Sequence, residues 1–156
     1  MLMPRSPVAL RPATEDDRRF LRQLHHRCYR RWVEEVWGWD DAEQDRRFDA
    51  AWTTAGRFVV ELNATPIGAL RTNQRHDHLF IDDIEIDPDH QGRGIGTRLL
   101  QRVLADAESS GTSVRLQVLR NNPARRLYER LGFRVDGSTD THYLMQRPPS
   151  GRGGSE

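Results

Sequence analysis

Residues 79–97, which read LFIDDIEIDPDHQGRGIGT, decide the fold of this chain. The first part, up to Ile86, is rich in apolar and β-branched residues and predicts a strand. Pro88 and the three glycines that follow predict a turn. Apolar residues then recur at helical spacing over 95–109, which predicts a helix. The segment is therefore a strand, a glycine-rich turn and a helix start.

A turn of this kind directs several unpaired backbone N–H groups into one concavity, and the start of the helix adds partial positive charge. Glycines let the backbone approach an anion without a Cβ in the way, while Arg93 and Thr97 add side-chain donors. The turn therefore predicts a diphosphate site. An ordinary tight connection is the alternative, because three glycines alone are weak evidence.

The rest of the chain alternates between helical and strand periodicity. The predicted elements are a strand at 8–10, a helix from Thr14 to Gly38, a second helix capped by Asp40 or Asp41 and closed near Gly56, a hairpin of 58–62 and 67–70 turning at 63–66, a strand at 114–119, a short helix opened by Pro123, and strands at 133–136 and 142–146. The first helix is expected to bury Phe20, Leu21, Leu24, Cys28, Trp32 and Val36. This order predicts an α/β fold of the α+β type with a mixed sheet.

Length and composition limit the classes of function. With 156 residues the chain fits one domain, predicted at 8–147 between flexible tails at 1–7 and 148–156. The net charge is +1, which argues against nucleic acid or an anionic membrane surface as a partner. All 24 cationic side chains are arginine, so a Walker loop and Schiff-base chemistry are excluded. A single cysteine, Cys28, excludes an internal disulfide, and no metal site is expected.

Two motifs resemble those of one enzyme family. At the end of the strand, the spacing Q-x-x-G-x-G resembles the acyl-coenzyme A signature of the GNAT (Gcn5-related) N-acetyltransferases. Residues 114–133, VRLQVLRNNPARRLYERLGF, resemble the next strand and helix of that family. The matching positions are Gln91, Gly94, Gly96, Asn121, Ala124, Tyr128, Gly132 and Phe133. Two distant motifs in the right order are far more specific than either one.

The resemblance implies acetyl-CoA as the acyl donor. In the family two parallel strands, here 79–86 and 114–119, splay apart, and pantetheine pairs with the open edge like an added strand. The implied binding residues are Ile84, Glu85 and Ile86 for pantetheine, Gln91, Gly92, Arg93, Gly94, Ile95, Gly96 and Thr97 for the pyrophosphate, and Asn121 or Asn122 for the arm. An alternative for Asn122 is a cap on the helix that Pro123 opens.

The resemblance also implies the catalytic groups. Tyr128 stands where the family places a phenol near the thioester sulfur, and core packing is its alternative. Asp82 and Asp83 are the candidate general bases, with Asp82 favoured and Glu85 a third carboxylate on the same strand. Strand alternation puts Asp82 on one face and Asp83 with Glu85 on the other. Plain solvation of all three carboxylates is the alternative.

The acceptor is expected to be a primary amine, bound by the first two helices and the last strands. Trp39, Asp40 and His142 are the candidate contacts, with simple packing as the alternative for the tryptophans. Direct transfer in a ternary complex is expected, because Cys28 on the first helix is badly placed for an acetyl-enzyme. A cytoplasmic location is expected, because the sequence has no apolar run long enough for a membrane helix and no continuous apolar stretch at its N-terminus. The resemblance also makes a homodimer a reasonable expectation. The alternative functions are a CoA-binding sensor or interaction module and a nucleotide-binding protein.

Overall fold

A computed structural model describes residues 8–150 of the chain, so the predicted tail at 1–7 and all but residues 148–150 of the predicted tail at 148–156 lie outside the described residues. The helices are α1 Arg18–Trp37, α2 Asp41–Ala50, α3 Ile95–Ser109 and α4 Ala124–Arg130. The strands are β1 Val8–Pro12, β2 Arg57–Leu62, β3 Thr65–Gln74, β4 His78–Ile86, β5 Ser113–Leu119, β6 Arg134–Ser138 and β7 His142–Arg147. No helix within residues 8–150 combines the length and the apolar character needed to cross a bilayer.

The seven strands form one mixed sheet in the order β1-β2-β3-β4-β5-β7-β6, which confirms the predicted fold class. β4 and β5 are parallel, paired from His78 with Ser113 to Ile81 with Leu116. Both strands continue past this point, β4 to Ile86 and β5 to Leu119. β5 is also antiparallel to β7, which therefore lies between β5 and β6 in the sheet.

The described residues divide into two compact units, of which the first contains 8–71 and 83–96. Its core cluster consists of Ala13, Leu21, Leu24, Phe48, Val59 and Ala69, with Phe20, Cys28 and Trp52 packed against it. The start of α1 is held by Asp17, which receives two hydrogen bonds of 2.9 Å from the Arg11 guanidinium. These bonds lower the pKa of Asp17 to about 2. Gly38, with φ of +80°, ends α1 at the predicted residue.

The second unit contains residues 72–82 and 97–150. Its buried apolar residues come from one face of α3, from alternate positions of β5, and from the segment after α4: Leu99, Leu100, Leu104, Ala107, Val114, Leu116, Val118, Leu119, Phe133 and Met145. The backbone N–H of Ser150 donates to the Glu108 carboxylate at 2.8 Å. Two-residue alternation along β5 and the helical period along α3 thus place the core where the sequence pattern predicts it.

Three details differ from the prediction. α2 ends at Ala50, not near Gly56, because the threonines that follow Trp52 favour a turn over helix. The hairpin turns on Asn63 and Ala64 alone, which both have positive φ, so Pro66 lies inside β3. Val36 is 40% exposed, because the buried residues of α1, Leu21 and Leu24, lie in its first half.

Candidate functional site

The glycine-rich turn between β4 and α3 has the geometry of an anion cradle. Gly92 and Gly94 adopt φ of +82° and +79°, and a Cβ on either would meet no heavy atom within 4 Å. The left-handed backbone therefore requires glycine, while the space beside it is open. The backbone N–H groups of Gly92, Arg93 and Gly94 donate to no other residue within 8–150. Unpaired amides in such a turn, followed by a helix N-terminus, are typical of phosphate sites.

The end of β4 is anchored to the turn and to α1. The Gln91 side-chain amide donates to the Ile86 carbonyl at 2.8 Å, and the Cys28 thiol donates to the same oxygen at 3.3 Å. These two bonds use both lone pairs of that carbonyl. The Ile86 carbonyl is therefore occupied within the chain, and Ile84, on the same edge of the strand, is the better candidate for pairing with a ligand.

A carboxylate and histidine cluster lies on one side of β4. Asp83 and Glu85 share this side, as the alternation predicts, and His25 of α1 completes the cluster with ligand atoms within 4.8 Å of one another. His25 Nδ1 lies 2.5 Å from a Glu85 carboxylate oxygen, and Glu85 is only 5% exposed. A buried carboxylate needs a partner of this kind, because an unpaired buried charge is costly.

The cluster shifts the protonation of its members. Burial opposes the charged form of His25, but the charge and hydrogen bond of Glu85 outweigh it and raise the pKa of His25 to about 9. Burial, followed by the negative charge of Glu85, raises the pKa of Asp83 to about 7. At neutral pH, His25 is therefore protonated and Asp83 is poised to exchange a proton.

No sequence motif marks His25 as a functional residue. Its position contains a signal, because His25 lies four residues after the buried Leu21 and three before the packed Cys28. A polar residue on the apolar face of a helix needs a polar partner in the fold. The identity of that partner, Glu85, is not visible in the sequence because 60 positions separate the two residues.

The sequence suggests that Cys28 is badly placed to carry the acetyl group, but the structure places its thiol at the end of β4. Its thiol reaches the carbonyl at the end of β4, so poor placement is the wrong reason to exclude it. Burial, followed by the charges of Glu85 and Asp87, raises the pKa of the thiol to about 12. A cysteine that stays protonated at neutral pH is a poor nucleophile.

A cavity of about 500 Å³ opens where α1 ends and α2 begins. Trp37, Trp39 and Asp40 line it, and Trp37 is 59% exposed. Asp40 caps α2 by accepting the backbone N–H of Glu43 at 3.0 Å, and the Trp39 indole donates to Asp41 at 2.7 Å. Both predicted acceptor contacts thus have a structural role and also line an open cavity.

The second unit contains the remaining candidates. Tyr128 of α4 is half-buried, with its ring centroid 5.8 Å from that of Phe133 in an edge-on arrangement. The Asn122 side chain accepts the backbone N–H of Ala124 at 2.9 Å, which is the capping alternative. Asn121 is therefore the better candidate for the ligand arm. Asp82 and His142 also belong to this unit, and burial lowers the pKa of His142.

Residues 18–133 match the family model described as "Acetyltransferase (GNAT) family". The chain belongs to the GNAT family. This GNAT domain has the fold of the PaiA N-acetyltransferase from Thermoplasma acidophilum, solved in complex with coenzyme A, with a TM-score of 0.76 and 14% identity over 90% of this chain and 98% of that one. The ribosomal-protein-S18-alanine N-acetyltransferase from Escherichia coli matches with a TM-score of 0.70 and 21% identity over 96% and 98%.

Curated relatives are longer than the region that they share with this GNAT chain. The uncharacterized N-acetyltransferase MJ1207 of Methanocaldococcus jannaschii is 30% identical over 80% of this chain and 59% of its own length. The L-amino acid N-acyltransferase MnaT of Escherichia coli is 30% identical over 62% and 64%. The peptidyl-lysine N-acetyltransferase YjaB of Salmonella typhimurium is 37% identical over 54% and 53%. The chain therefore spans less than two thirds of each of these relatives.

Proposed function

We propose that this chain is an N-acetyltransferase that moves the acetyl group of acetyl-CoA to a primary amine by direct transfer in a ternary complex. The observation on which this depends is the turn at 91–97, where unpaired amides and two left-handed glycines form an anion cradle. Membership of the GNAT family, the names of the curated relatives and the coenzyme A complex of a structural neighbour support it.

The donor needs sites for two chemically different parts. We assign its diphosphate to the amides of 92–97 with the side chain of Arg93, and its pantetheine arm to the free edge of Ile84 and to Asn121. The open space beside Gly92 and Gly94 fits an anion that approaches the backbone closely. When bound, acetyl-CoA supplies the activated thioester, and the residues of the chain supply orientation and proton transfer.

Proton transfer is assigned to one carboxylate and one phenol. Asp83 accepts the proton that the amine loses as its nitrogen attacks the thioester carbon, and Tyr128 donates a proton to the thiolate as the carbon–sulfur bond breaks. We place the base at Asp83, because it lies in the cluster with His25 and Glu85 and its pKa, raised to about 7, suits a proton acceptor at neutral pH. Asp82 is the control for this assignment.

A panel of amines assayed for release of free thiol from acetyl-CoA tests the activity. Free amino acids, a lysine-containing peptide and a peptide with N-terminal alanine cover the acceptor classes that relatives and neighbours name. We expect Tyr128→Phe and Asp83→Asn to keep CoA binding and to lose rate, and Asp82→Asn to lose less. If no amine is acetylated while CoA binds, the chain is instead a CoA-binding sensor or interaction module.

Substitution of Gly94 by alanine tests the cradle itself. Gly94→Ala places a Cβ in the open space and strains a left-handed residue, so we expect CoA affinity to fall at least about tenfold. Gly111→Ala is the matched control, because Gly111 has φ of +66° with equally open space but follows the far end of α3. Calorimetry with CoA measures both variants. Equal CoA affinities in the two variants would reject the turn as the diphosphate site.

A further inference from the structure

The bond between His25 and Glu85 connects α1 to the strand that holds the proposed base. Leu21 and Leu24 pack α1 against the core of its unit, and His25 adds a polar contact to that apolar packing. Its Nδ1 lies 2.5 Å from the carboxylate of Glu85, which is 5% exposed. Glu85 lies two residues along β4 from Asp83, on the same side of the strand. None of the functional assignments made so far uses His25.

We propose that His25 is a positioning residue of the acetyl transfer, which acts through Glu85: it fixes Glu85 as a buried ion pair beside Asp83 and thereby sets the proton affinity of Asp83. The proposal rests on the proposed function, since it assigns a role in that reaction. His25 itself contacts neither reacting atom in this scheme. It determines where the Glu85 carboxylate lies beside Asp83 when Asp83 accepts the proton.

The surroundings of the His25 ring favour one fixed orientation. The Tyr29 ring lies 4.8 Å away and the Phe48 ring 5.7 Å away, measured between centroids, and both pack at tilted angles. The His26 ring is 6.3 Å away but hydrogen-bonds to Asp45 instead. Aromatic packing limits rotation of the imidazole, and the Glu85 end of the bond is buried, which strengthens the bond.

The charges around Asp83 act in opposite directions. Glu85 favours the protonated form of Asp83, whereas His25, Arg57 of β2 and Arg71 of β3 favour its ionised form. Together with burial, which favours the neutral acid, they hold the pKa of Asp83 near 7. Removal of either member of the His25–Glu85 pair changes this balance, and the two removals change it in opposite directions.

A metal ion is the competing occupant, because the three side chains can converge on one cation. Metal binding requires a neutral imidazole and ionised carboxylates. The close approach of Glu85 instead favours the protonated imidazole, with the pKa of His25 raised to about 9. The ion pair therefore explains the arrangement without a metal. The experiment must also test whether the activity requires a metal.

The test is the pH dependence of kcat/KM for one amine, in which the acid limb reports ionisation of the base. Glu85→Gln removes the repelling charge, so we expect the acid limb to move down by at least about one pH unit. His25→Gln leaves two carboxylates without their cation, so they retain a shared proton and the limb moves up by a similar amount. Asp83→Asn is expected to lower kcat at least about 100-fold with KM for acetyl-CoA unchanged.

His26→Gln is the matched control, because His26 is the neighbouring histidine on α1 and also pairs with a carboxylate. Its partner, Asp45, is far more exposed than Glu85. We expect its acid limb to coincide with that of the wild type. Should His25→Gln fail to fold, the double variant His25→Gln/Glu85→Gln keeps an uncharged hydrogen-bonded pair. We expect that variant to move the limb down, as Glu85→Gln does.

Carboxyl ¹³C NMR titration of Asp83 gives a readout without turnover, so failure of this inference is separable from failure of the proposed function. If no amine is acetylated, the Asp83 titration midpoints in Glu85→Gln, His25→Gln and His26→Gln still test the coupling between Asp83 and the His25–Glu85 pair. Midpoints or limbs that move in the same direction for His25→Gln and Glu85→Gln, or not at all, would overturn the proposal. Loss of activity on dialysis against a chelator, restored by Zn²⁺, would also overturn it in favour of a metal site.

Discussion

Glu85 shows how one residue links stability and function. Its side chain is almost fully buried, and a lone carboxylate there would lose the solvation that stabilises its charge. The bond to His25 compensates for this loss only while His25 holds its proton. The free energy of unfolding should therefore depend on pH in the range where His25 titrates.

The sign of that dependence follows from the direction of the pKa shift. His25 has an ordinary pKa of 6.5 when unfolded and about 9 when folded, so the folded state binds the extra proton. Its stabilising contribution is complete below the unfolded value and is lost as the pH rises through the folded value. We expect the free energy of unfolding to fall by up to about 3 kcal/mol across this interval.

Urea unfolding at a series of pH values from about 6 to about 10 measures the dependence. The double variant His25→Gln/Glu85→Gln has no proton to lose from this pair and should show a smaller decline, left by Asp83 near pH 7 and by Cys28 above pH 9. His26→Gln should keep the full decline. A decline of the same size in the double variant would assign the pH dependence to other groups.

At the scale of elements, the contact between β3 and β4 depends on the absence of a side chain at Gly68. A Cβ there would lie 2.5 Å from the Glu85 carbonyl oxygen and 3.0 Å from the end of the Ile86 side chain. The first of these atoms is backbone and cannot move without displacing β4. The position of the proposed base strand is thus set in part by a residue on its neighbour.

Gly68→Ala should therefore destabilise the protein by about 2–3 kcal/mol and also reduce the rate of acetyl transfer, because β4 must shift. Gly137→Ala is the matched control in another strand, since its Cβ would meet only the flexible Leu144 side chain at 3.2 Å. We expect that change to cost less than about 1 kcal/mol. Thermal and denaturant unfolding compare the two variants, and equal losses would contradict the argument.

Local patterns predicted most elements but not their long-range contacts. The bounds of α3 at 95–109 follow from the spacing of its apolar residues, and the shared side of Asp83 and Glu85 follows from strand alternation. The hairpin turn was misplaced because Ala64 is an unusual residue for positive φ. His25 was missed because its partner lies on an element distant in sequence. The spacing of apolar residues shows which face of a helix or strand is buried. It does not identify the residues of other elements that contact that face.

At the scale of the whole molecule, the candidate residues are divided between the two units. The chain passes between the units at three points: within β3 at 71/72, within β4 at 82/83, and at the start of α3 at 96/97. The proposed base and most of the cradle belong to the first unit, whereas Tyr128 and Asn121 belong to the second. Direct transfer requires donor and amine to be bound at the same time, so it makes a kinetic prediction about the protein as a whole.

Direct transfer and an acetyl-enzyme route differ in their initial-rate patterns. With both substrates bound together, double-reciprocal plots at several fixed amine concentrations intersect, whereas a covalent intermediate gives parallel lines. Cys28 is the single cysteine, and its thiol, with a pKa of about 12, is protonated at neutral pH. We therefore expect Cys28→Ala to keep intersecting lines and a kcat within about threefold of the wild type. The variant also removes the only protein thiol from the thiol-release assay. Parallel lines in the wild type, with activity abolished in Cys28→Ala, would show that the acetyl group passes through the cysteine.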